Sequence, residues 1–174
     1  MANFDKELCD LLRARFPFIN ITTYEEERLV NELTRIVTTP ELIHTPRKVF
    51  VWKSSEGFRN NEGIIEEDTF DKHSALKYIR EYNQPAVFVL LDFHIFCEKC
   101  NGGVDNNIVR SLKDLMPNLK QSMQPKNVIF VSPTFNSPDD LKKDVTVLDF
   151  ELPQQEDIER VLNEIIDANA GGNL

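Results

Sequence analysis

The sequence is poor in the residues that several common functions require. Its 174 residues include six glycines, three cysteines and one tryptophan. No GxxxxGK[ST] phosphate-binding loop occurs, and no apolar run is long enough to span a bilayer. The formal charge is −9, and lysine and arginine form no cluster. Because a phosphate backbone is bound through clustered cations, these features argue against nucleic acid as the main partner.

The remaining totals are those of an ordinary globular domain, with 41% hydrophobic and 28% charged residues. A chain of this length suits one domain, since domains commonly run to about 100–200 residues. We therefore expect a single domain over 1–174, with an irregular acidic surface loop or lid over 53–73. The N-terminus shows no signal-peptide pattern, so we expect a cytoplasmic protein. The odd number of cysteines does not suggest a disulfide framework.

Hydrophobic periodicity predicts strands that alternate with helices. Ile19 and Ile21 alternate as in a strand, and from Leu29 the apolar spacing becomes helical. The segment AVFVLL, 86–91, is apolar at every position, which is typical of a strand buried on both faces. Further strands are predicted near 49–52, 128–131 and 145–150. This order predicts a three-layer α/β/α fold with a five-stranded, mainly parallel sheet.

Boundary signals accompany the predicted helices. Thr23 is placed to cap the helix after the first strand, with Glu26 as the returning half of a capping box. Pro117 is expected to kink or divide the helix marked by 108–116. Ser137-Pro138 is expected to open a short helix. Other helices are predicted over 4–16 and 74–82, and a final helix has its apolar residues at Ile158, Val161, Leu162, Ile165 and Ile166.

A phosphate-binding loop would lie at the junction between the first strand and its helix. This junction reads TTYEEE, 22–27, and contains no glycine. A helix N-terminus ordinarily attracts phosphate through its free N–H groups and the positive end of its dipole. Here Glu25, Glu26 and Glu27 complement that dipole themselves and would repel a triphosphate. We therefore expect that the domain does not hydrolyse ATP.

Candidate site residues are expected at the carboxyl-terminal edge of the sheet, where ligands of parallel sheets often bind. Asp92 and His94 could form an acid–base pair, although residues two apart in a strand share a face without any function. Trp52 either anchors a partner or closes the core under 53–73, and the second interpretation is favoured. The candidate set is Thr23, Trp52, Asp92, His94 and Ser132.

A possible metal motif follows the third strand. His94, Cys97 and Cys100 lie in the sequence HIFCEKC. Structural zinc normally has four ligands, and nothing in the sequence places a fourth. A redox CxxC motif would need its own strand–helix context. We favour loop cysteines without a role, and we predict no metal and no other cofactor.

Several segments resemble a P-loop ATPase of the AAA+ class. The segment 86–92 looks like a Walker B strand, and 128–132 looks like the strand that ends at the sensor-1 position. The segment 148–162 is similar to the connection from the last AAA+ strand into the lid. A closer resemblance is to the N-terminal region of plastid- and cyanobacterial-type AAA+ proteins long known as hypothetical reading frames. It is carried by RARFP at 13–17, YEEER at 24–28, Val51-Trp52 with Glu56-Gly57, and VLLDFH at 89–94.

The resemblance implies a degenerate P-loop fold, similar to an AAA+ large subdomain, that precedes an intact ATPase module, with 169–174 in the linker. Phe93 stands where a water-activating glutamate would follow Asp92, and Ser132 only approximates the polar sensor residue. The implied function is non-catalytic: regulation, assembly or partner recognition. The implied partners are the downstream AAA+ module, another protein, or further copies of the full-length protein.

An alternative function uses the carboxyl-terminal edge of the sheet. In this hypothesis the chain is a small-molecule-binding or hydrolytic domain with Asp92, His94, Ser132 and Thr23 at its site. Such a site would require a closed apolar pocket with convergent polar groups. A flat or filled edge would count against it.

Overall fold

The computed structural model describes residues 3–97, 104–134, 137–153 and 155–170. The strands are β1 (Phe18–Thr22), β2 (Lys48–Lys53), β3 (Gly57–Asn60), β4 (Ala86–Leu91), β5 (Lys126–Ser132) and β6 (Val145–Asp149). The helices are α1 (Asn3–Arg13), α2 (Glu26–Thr38), α3 (Lys72–Glu81), α4 (Asn106–Gln121) and α5 (Gln155–Ala170). A short 3-10 turn, Phe93–Phe96, follows β4. The expected linker at 169–174 falls partly on α5, and 171–174 lie outside the described residues.

The strands form one sheet in the order β3-β2-β4-β5-β1-β6. Every neighbouring pair is parallel except β2 and β3, which form an antiparallel hairpin. Helices α1 and α2 pack on one face, and α3 and α4 pack on the other. The predicted three-layer, mainly parallel α/β fold is therefore confirmed, with six strands instead of five.

The sheet carries a separate apolar core on each face. Along β4, Phe88 and Leu90 face the layer of α3 and α4, while Val87 and Val89 face α1 and α2. All six residues of β4 are buried, as the uninterrupted apolar run predicted. The layer of α3 and α4 is rich in aromatic rings, among them Phe18, Phe50, Phe58, Phe88 and Phe130.

The extra strand lies in the segment predicted to be an irregular loop, 53–73. That prediction is wrong for 57–60, which form β3, and for the last two residues, which begin α3. Thr69 holds the segment to the sheet: its hydroxyl accepts from the Phe58 N–H and donates to the Glu66 carbonyl, each at 2.8 Å. The segment is therefore a bonded hairpin and not a free lid. With only four residues, β3 is too short to show a recognisable alternation.

Two predictions about proline do not hold as made: α4 is not divided at Pro117, and no helix begins at Ser137-Pro138. Helix α4 continues through Pro117, whose exposed position lies between the buried Leu115 and Leu119. Packing of these leucines offsets the loss of one N–H donor. Ser137-Pro138 opens no helix; Leu141 and Asp144 close two successive turns through their N–H groups.

Two buried cations lie at the amino-terminal edge of the sheet. The Nζ atom of Lys126 donates to three main-chain carbonyls at the end of α3 and to the Asn118 side chain, at 2.9–3.2 Å. Arg47 donates to the Asn127 side chain and to the Leu12 carbonyl. Burial, followed by the neighbouring charge of Arg15, lowers the pKa of Arg47 to about 10. These bonds join α1, α3 and α4 to the starts of the strands.

Two aspartates cap the helices of the aromatic layer. Asp71 accepts from the N–H groups of His73 and Ser74 at the start of α3. Asp105 caps α4 and lies 2.5 Å from the Lys72 Nζ atom, so it also joins the two helices. Hydrogen bonds, above all from Ser74, lower the pKa of Asp71. The hydrogen bond from Lys72 is the main cause that lowers the pKa of Asp105.

We expect the free energy of unfolding to fall as the pH drops below the ordinary carboxyl pKa of 3.8. Because both carboxyls have a lower pKa when folded, their contribution is complete above the unfolded value and is lost through the folded values. Asp105→Asn keeps a capping acceptor but loses the ion pair with Lys72. Urea unfolding should show a loss of about 0.5–1 kcal/mol at pH 7 and a smaller loss at pH 3. An equal loss at both pH values would contradict the assignment.

Candidate functional site

The carboxyl ends of three strands meet at one edge, as the parallel sheet predicted. The Thr23 N–H donates to the Ser132 carbonyl at 3.2 Å, and the Asp92 N–H donates to the Val131 carbonyl at 2.9 Å. The residues that follow β1, β4 and β5 are therefore neighbours. Their main-chain groups continue the sheet by about one residue beyond the strands.

The two hydroxyls of the candidate set serve local turns. Thr23 and Ser132 are both buried. The Thr23 Oγ1 atom accepts from the Glu25 N–H at 3.0 Å, and the Ser132 Oγ atom donates to the Thr134 carbonyl at 2.7 Å. The predicted capping box is wrong: Glu25 is the N-cap of α2, and Thr23 bonds an N–H that precedes the helix. A hydroxyl held in this way is not positioned as a nucleophile.

Trp52 belongs to the core. Its indole N–H donates to the Thr69 carbonyl at 2.7 Å, and its ring meets Phe93 edge-to-face at 5.4 Å between centroids. The side chain is buried, so it offers no surface to a partner. The favoured interpretation, that Trp52 closes the core under 53–73, is confirmed.

The candidate acid–base pair is not aligned for proton transfer. The His94 Nδ1 atom lies 4.0 Å from the Asp92 Oδ1 atom, beyond the hydrogen-bonding range of about 2.6–3.2 Å. Asp92 adopts a left-handed conformation with φ 55°, which ends β4 and begins the 3-10 turn. The shared strand face assumed for these residues therefore does not exist. The Asp92 side chain is 57% exposed and that of His94 only 15%.

The possible metal motif is only partly described. Cys97 is buried at the end of the 3-10 turn, and Cys100 lies outside the described residues. Within the described ranges, no group of three histidine, cysteine or acidic side chains could hold a metal ion. Within the same ranges, no helix has the length and apolar character needed to cross a membrane.

At the start of α2, one side chain makes several contacts that connect this edge to β6. Arg28 pairs with the N-cap residue Glu25 at 2.6 Å and donates to the Glu151 carbonyl at 2.5 Å. Its guanidinium also lies 3.8 Å from the centroid of the Phe150 ring. Phe150 in turn contacts Phe4 edge-to-face at 4.9 Å. One arginine thus joins the first turn of α2 to the segment that leaves β6.

Sequence reasoning did not identify this Arg28 bridge. The visible signal was the spacing of Glu25 and Arg28, three residues apart and able to pair at the start of a helix. The contacts with Phe150 and Glu151 are long-range: the carbonyl that Arg28 binds lies 123 residues further along the chain. Only the docking of β6 beside β1 brings them within reach.

A groove lies beside this bridge, between the start of α2 and the β2–β3 hairpin. Its volume is about 450 Å³, and Val30, Val51 and Leu91 contribute its apolar part. Its polar lining is of mixed charge and comes from Glu26, Glu27, Lys53, Glu56 and Arg59. None of the five candidate residues lines it. Val51 and Leu91 directly precede Trp52 and Asp92, so the groove lies at the same edge of the sheet, although the candidate side chains do not line it.

A comparison with known protein families identifies the class of protein to which the chain belongs. A family model described as SpoVK-like AAA ATPase, N-terminal domain, matches residues 4–150. Because the match covers most of the chain, the chain belongs to this family. The resemblance to an AAA+ N-terminal region, drawn from the sequence, is therefore confirmed.

Individual relatives agree with this family. The chain is similar to proteins named "Uncharacterized AAA domain-containing protein ycf46" from two organisms. It is 31% identical over 95% of its length to the protein of Trieres chinensis, and covers 31% of that relative. It is 30% identical over 94% of its length to the protein of Guillardia theta, and covers 30% of that relative. The chain thus spans less than a third of the length of either relative.

Proposed function

We propose that this chain is a non-catalytic domain of an AAA ATPase and serves regulation, assembly or partner recognition. The observation that carries the proposal is the first turn of α2. Glu25, Glu26 and Glu27 occupy the position where free N–H groups would meet a phosphate. Arg28, the nearest cation in sequence, is engaged with Glu25, Glu151 and Phe150. A triphosphate would meet negative charge there without a lysine or glycine-rich cradle to compensate.

The residues after β4 and β5 support the same proposal. Phe93, which stands where a water-activating carboxylate would follow Asp92, is buried among Trp52, Phe96 and Phe130. The side chain at this position therefore points into the aromatic core. The Ser132 hydroxyl donates to Thr134, so its proton is already used in a local turn.

The alternative function, small-molecule binding or hydrolysis at the sheet edge, has weaker support. The described groove is open, carries mixed charge and is not lined by Asp92, His94, Thr23 or Ser132. The edge around Thr23 and Ser132 is filled by their own hydrogen bonds.

We expect the purified chain to bind neither ATP nor ADP and to release no phosphate, with magnesium present. Calorimetric titration and a phosphate-release assay on the same sample measure this. Two features could prevent nucleotide binding: the negative charge of the turn, and the lack of a lysine and an amide cradle. The triple variant Glu25→Gln, Glu26→Gln, Glu27→Gln separates them. If it also fails to bind, the missing lysine and amide cradle suffice; if it binds, charge repulsion alone prevents binding.

Two results would contradict this expectation. Binding without phosphate release would make the chain a nucleotide sensor, which overturns the argument from the acidic turn but keeps the domain non-catalytic. Phosphate release that disappears in Asp92→Asn would make it an enzyme. Asp140→Asn is the matched control, because it removes an exposed carboxylate that lies on the 138–144 turns and away from the sheet edge.

A further inference from the structure

Helix α5 carries an apolar stripe that the rest of the chain does not cover. Ile158, Leu162, Ile165 and Ile166 are each between 51% and 60% exposed. At 100° per residue these four positions span an arc of about 100°, the width of a core-facing helix stripe. Asn163 and Asp167 lie outside this arc and are exposed, and the exposed Glu159 flanks it beside Ile166. Helix α5 is therefore amphipathic, with its apolar side in solvent.

The width of the stripe indicates what kind of surface covers it. A pair of identical helices in a coiled coil buries a narrow seam with a repeat of 3.5 residues. The neighbouring residues Ile165 and Ile166 are both apolar, which widens the stripe beyond such a seam. A broad stripe packs against the surface of a globular unit. The shape of α5 thus favours a folded domain over a second copy of the same helix.

The comparisons indicate which domain is available. The family match ends at residue 150, before α5 begins. The alignment with the relative from Pyropia yezoensis nevertheless covers 99% of this chain, so it extends into α5, and only 32% of that relative. The relatives therefore have a counterpart of α5 together with a much longer remainder. Their printed name places an AAA domain in the protein.

The Arg28 bridge determines where the segment that leads into α5 leaves the domain. Arg28 holds Phe150 and Glu151 against the start of α2, so the segment that leads into α5 leaves from the acidic turn. Leu152, 76% exposed, extends the apolar surface toward that turn. Tyr24, 84% exposed, lies at the turn itself. A complementary partner surface is apolar with cations at its rim, facing Glu26 and Glu27.

We propose that the apolar stripe of α5, together with Leu152, is the surface on which the AAA domain of the same polypeptide docks. This inference rests on the proposed function, because it assigns the partner of a non-catalytic N-terminal domain. Docking covers the four aliphatic side chains and fixes the domain relative to the ATPase module. The helix then transmits the orientation of one unit to the other.

The test is hydrogen–deuterium exchange of α5 in the full-length polypeptide and in the chain of 174 residues. We expect the amides of α5 to exchange on the order of 100-fold more slowly in the full-length protein. Leu162→Glu should abolish most of this protection. Asn163→Glu, which places the same charge about 100° around the helix and outside the stripe, should leave it intact. Neither substitution should change the thermal midpoint of the 174-residue chain.

Three results would overturn the proposal. Equal exchange in both proteins would mean that the AAA domain does not cover α5. Protection that rises with the concentration of the 174-residue chain would assign the stripe to a second copy. Protection in the full-length protein that survives Leu162→Glu would place the contact elsewhere. Phosphate release by the 174-residue chain would defeat the proposed function without changing the exchange of α5, so the two failures are distinguishable.

Discussion

Replacing Lys126 by methionine is expected to lower the free energy of unfolding by about 3 kcal/mol. Lys126 is 2% exposed, and its ammonium has three N–H groups for four acceptors at 2.9–3.2 Å. Three acceptors are the carbonyls of Ile79, Arg80 and Tyr82 at the end of α3, which have no partner within the helix. Methionine fills the same space but leaves these carbonyls unsatisfied, and hydrogen bonds to a charged group contribute about 1.5–3 kcal/mol each.

The expected loss is smaller than the sum of those bonds, because burial of the ammonium has its own cost. Desolvation lowers the pKa of Lys126, which reports that cost. Urea and thermal unfolding at pH 7 measure the effect; for a chain of this size the thermal midpoint should fall by roughly 6–12 °C. Lys120→Met is the control on the exposed side of α4 and should stay within about 0.5 kcal/mol. If both variants behave alike, the Lys126 network does not stabilise the fold.

Replacing Gly57 by alanine is expected to destabilise the protein by a similar amount, about 3 kcal/mol. Gly57 has φ +75°, where a Cβ atom costs roughly 1–2 kcal/mol. The added Cβ would also lie 2.6 Å from the Thr69 Oγ1 atom and 3.2 Å from the Thr69 carbonyl carbon. The Thr69 hydroxyl cannot yield easily, because it accepts from Phe58 and donates to Glu66. Movement of its main chain would disturb the bond from the Trp52 indole.

Gly63 provides the matched control for this substitution. It has φ +84°, but an added Cβ would meet no atom within 4 Å. Gly63→Ala should therefore cost only the conformational part, roughly 1–2 kcal/mol. The difference between the two variants in urea unfolding measures the close approach at Thr69. Tryptophan fluorescence should shift in Gly57→Ala alone, since Trp52 is the one tryptophan of the sequence. Equal losses without a shift would show that Thr69 does not hold 53–73 to the sheet.

Two sets of contacts hold the two edges of the sheet. Lys126 and Arg47 fasten helices to the amino-terminal edge. At the opposite edge, Thr69, Ser132 and Arg28 use local and long-range bonds to close the ends of the strands. A nucleotide site needs free main-chain N–H groups and space at that edge. In the described residues these strand ends are engaged in bonds within the protein, and the groove beside α2 is lined by Glu26 and Glu27.

Much of the architecture could be predicted because it depends on short, repeated patterns. The uninterrupted apolar run of β4 predicted a central strand. Patterns of apolar residues predicted five of the six strands. The YEEER motif and the missing glycines indicated the family and the absent phosphate loop. Strand β3 was missed because four residues, GFRN, hold no recognisable period and rely on Thr69 for their place.

The candidate site was less predictable, since side-chain positions there depend on where each strand ends. Asp92 and His94 were placed on one strand face, but the left-handed conformation of Asp92 separates their polar atoms to 4.0 Å. The Arg28 bridge escaped notice because its contacts join α2 to the exit of β6. The apolar residues of α5 predicted a helix, but their spacing shows only that one side is apolar and not what covers that side.

The sequence by itself determined the layers of the fold, the family, and the acidic turn without glycine, because periodicity and local composition act over a few residues. Tertiary structure decided the rest: the sixth strand, the burial of Trp52, the turn at Asp92 and the exposure of the α5 stripe. Each of these depends on contacts between residues distant in sequence, whose distances are fixed only when the sheet assembles. The order β3-β2-β4-β5-β1-β6 brings these residues together, and no local pattern encodes that order.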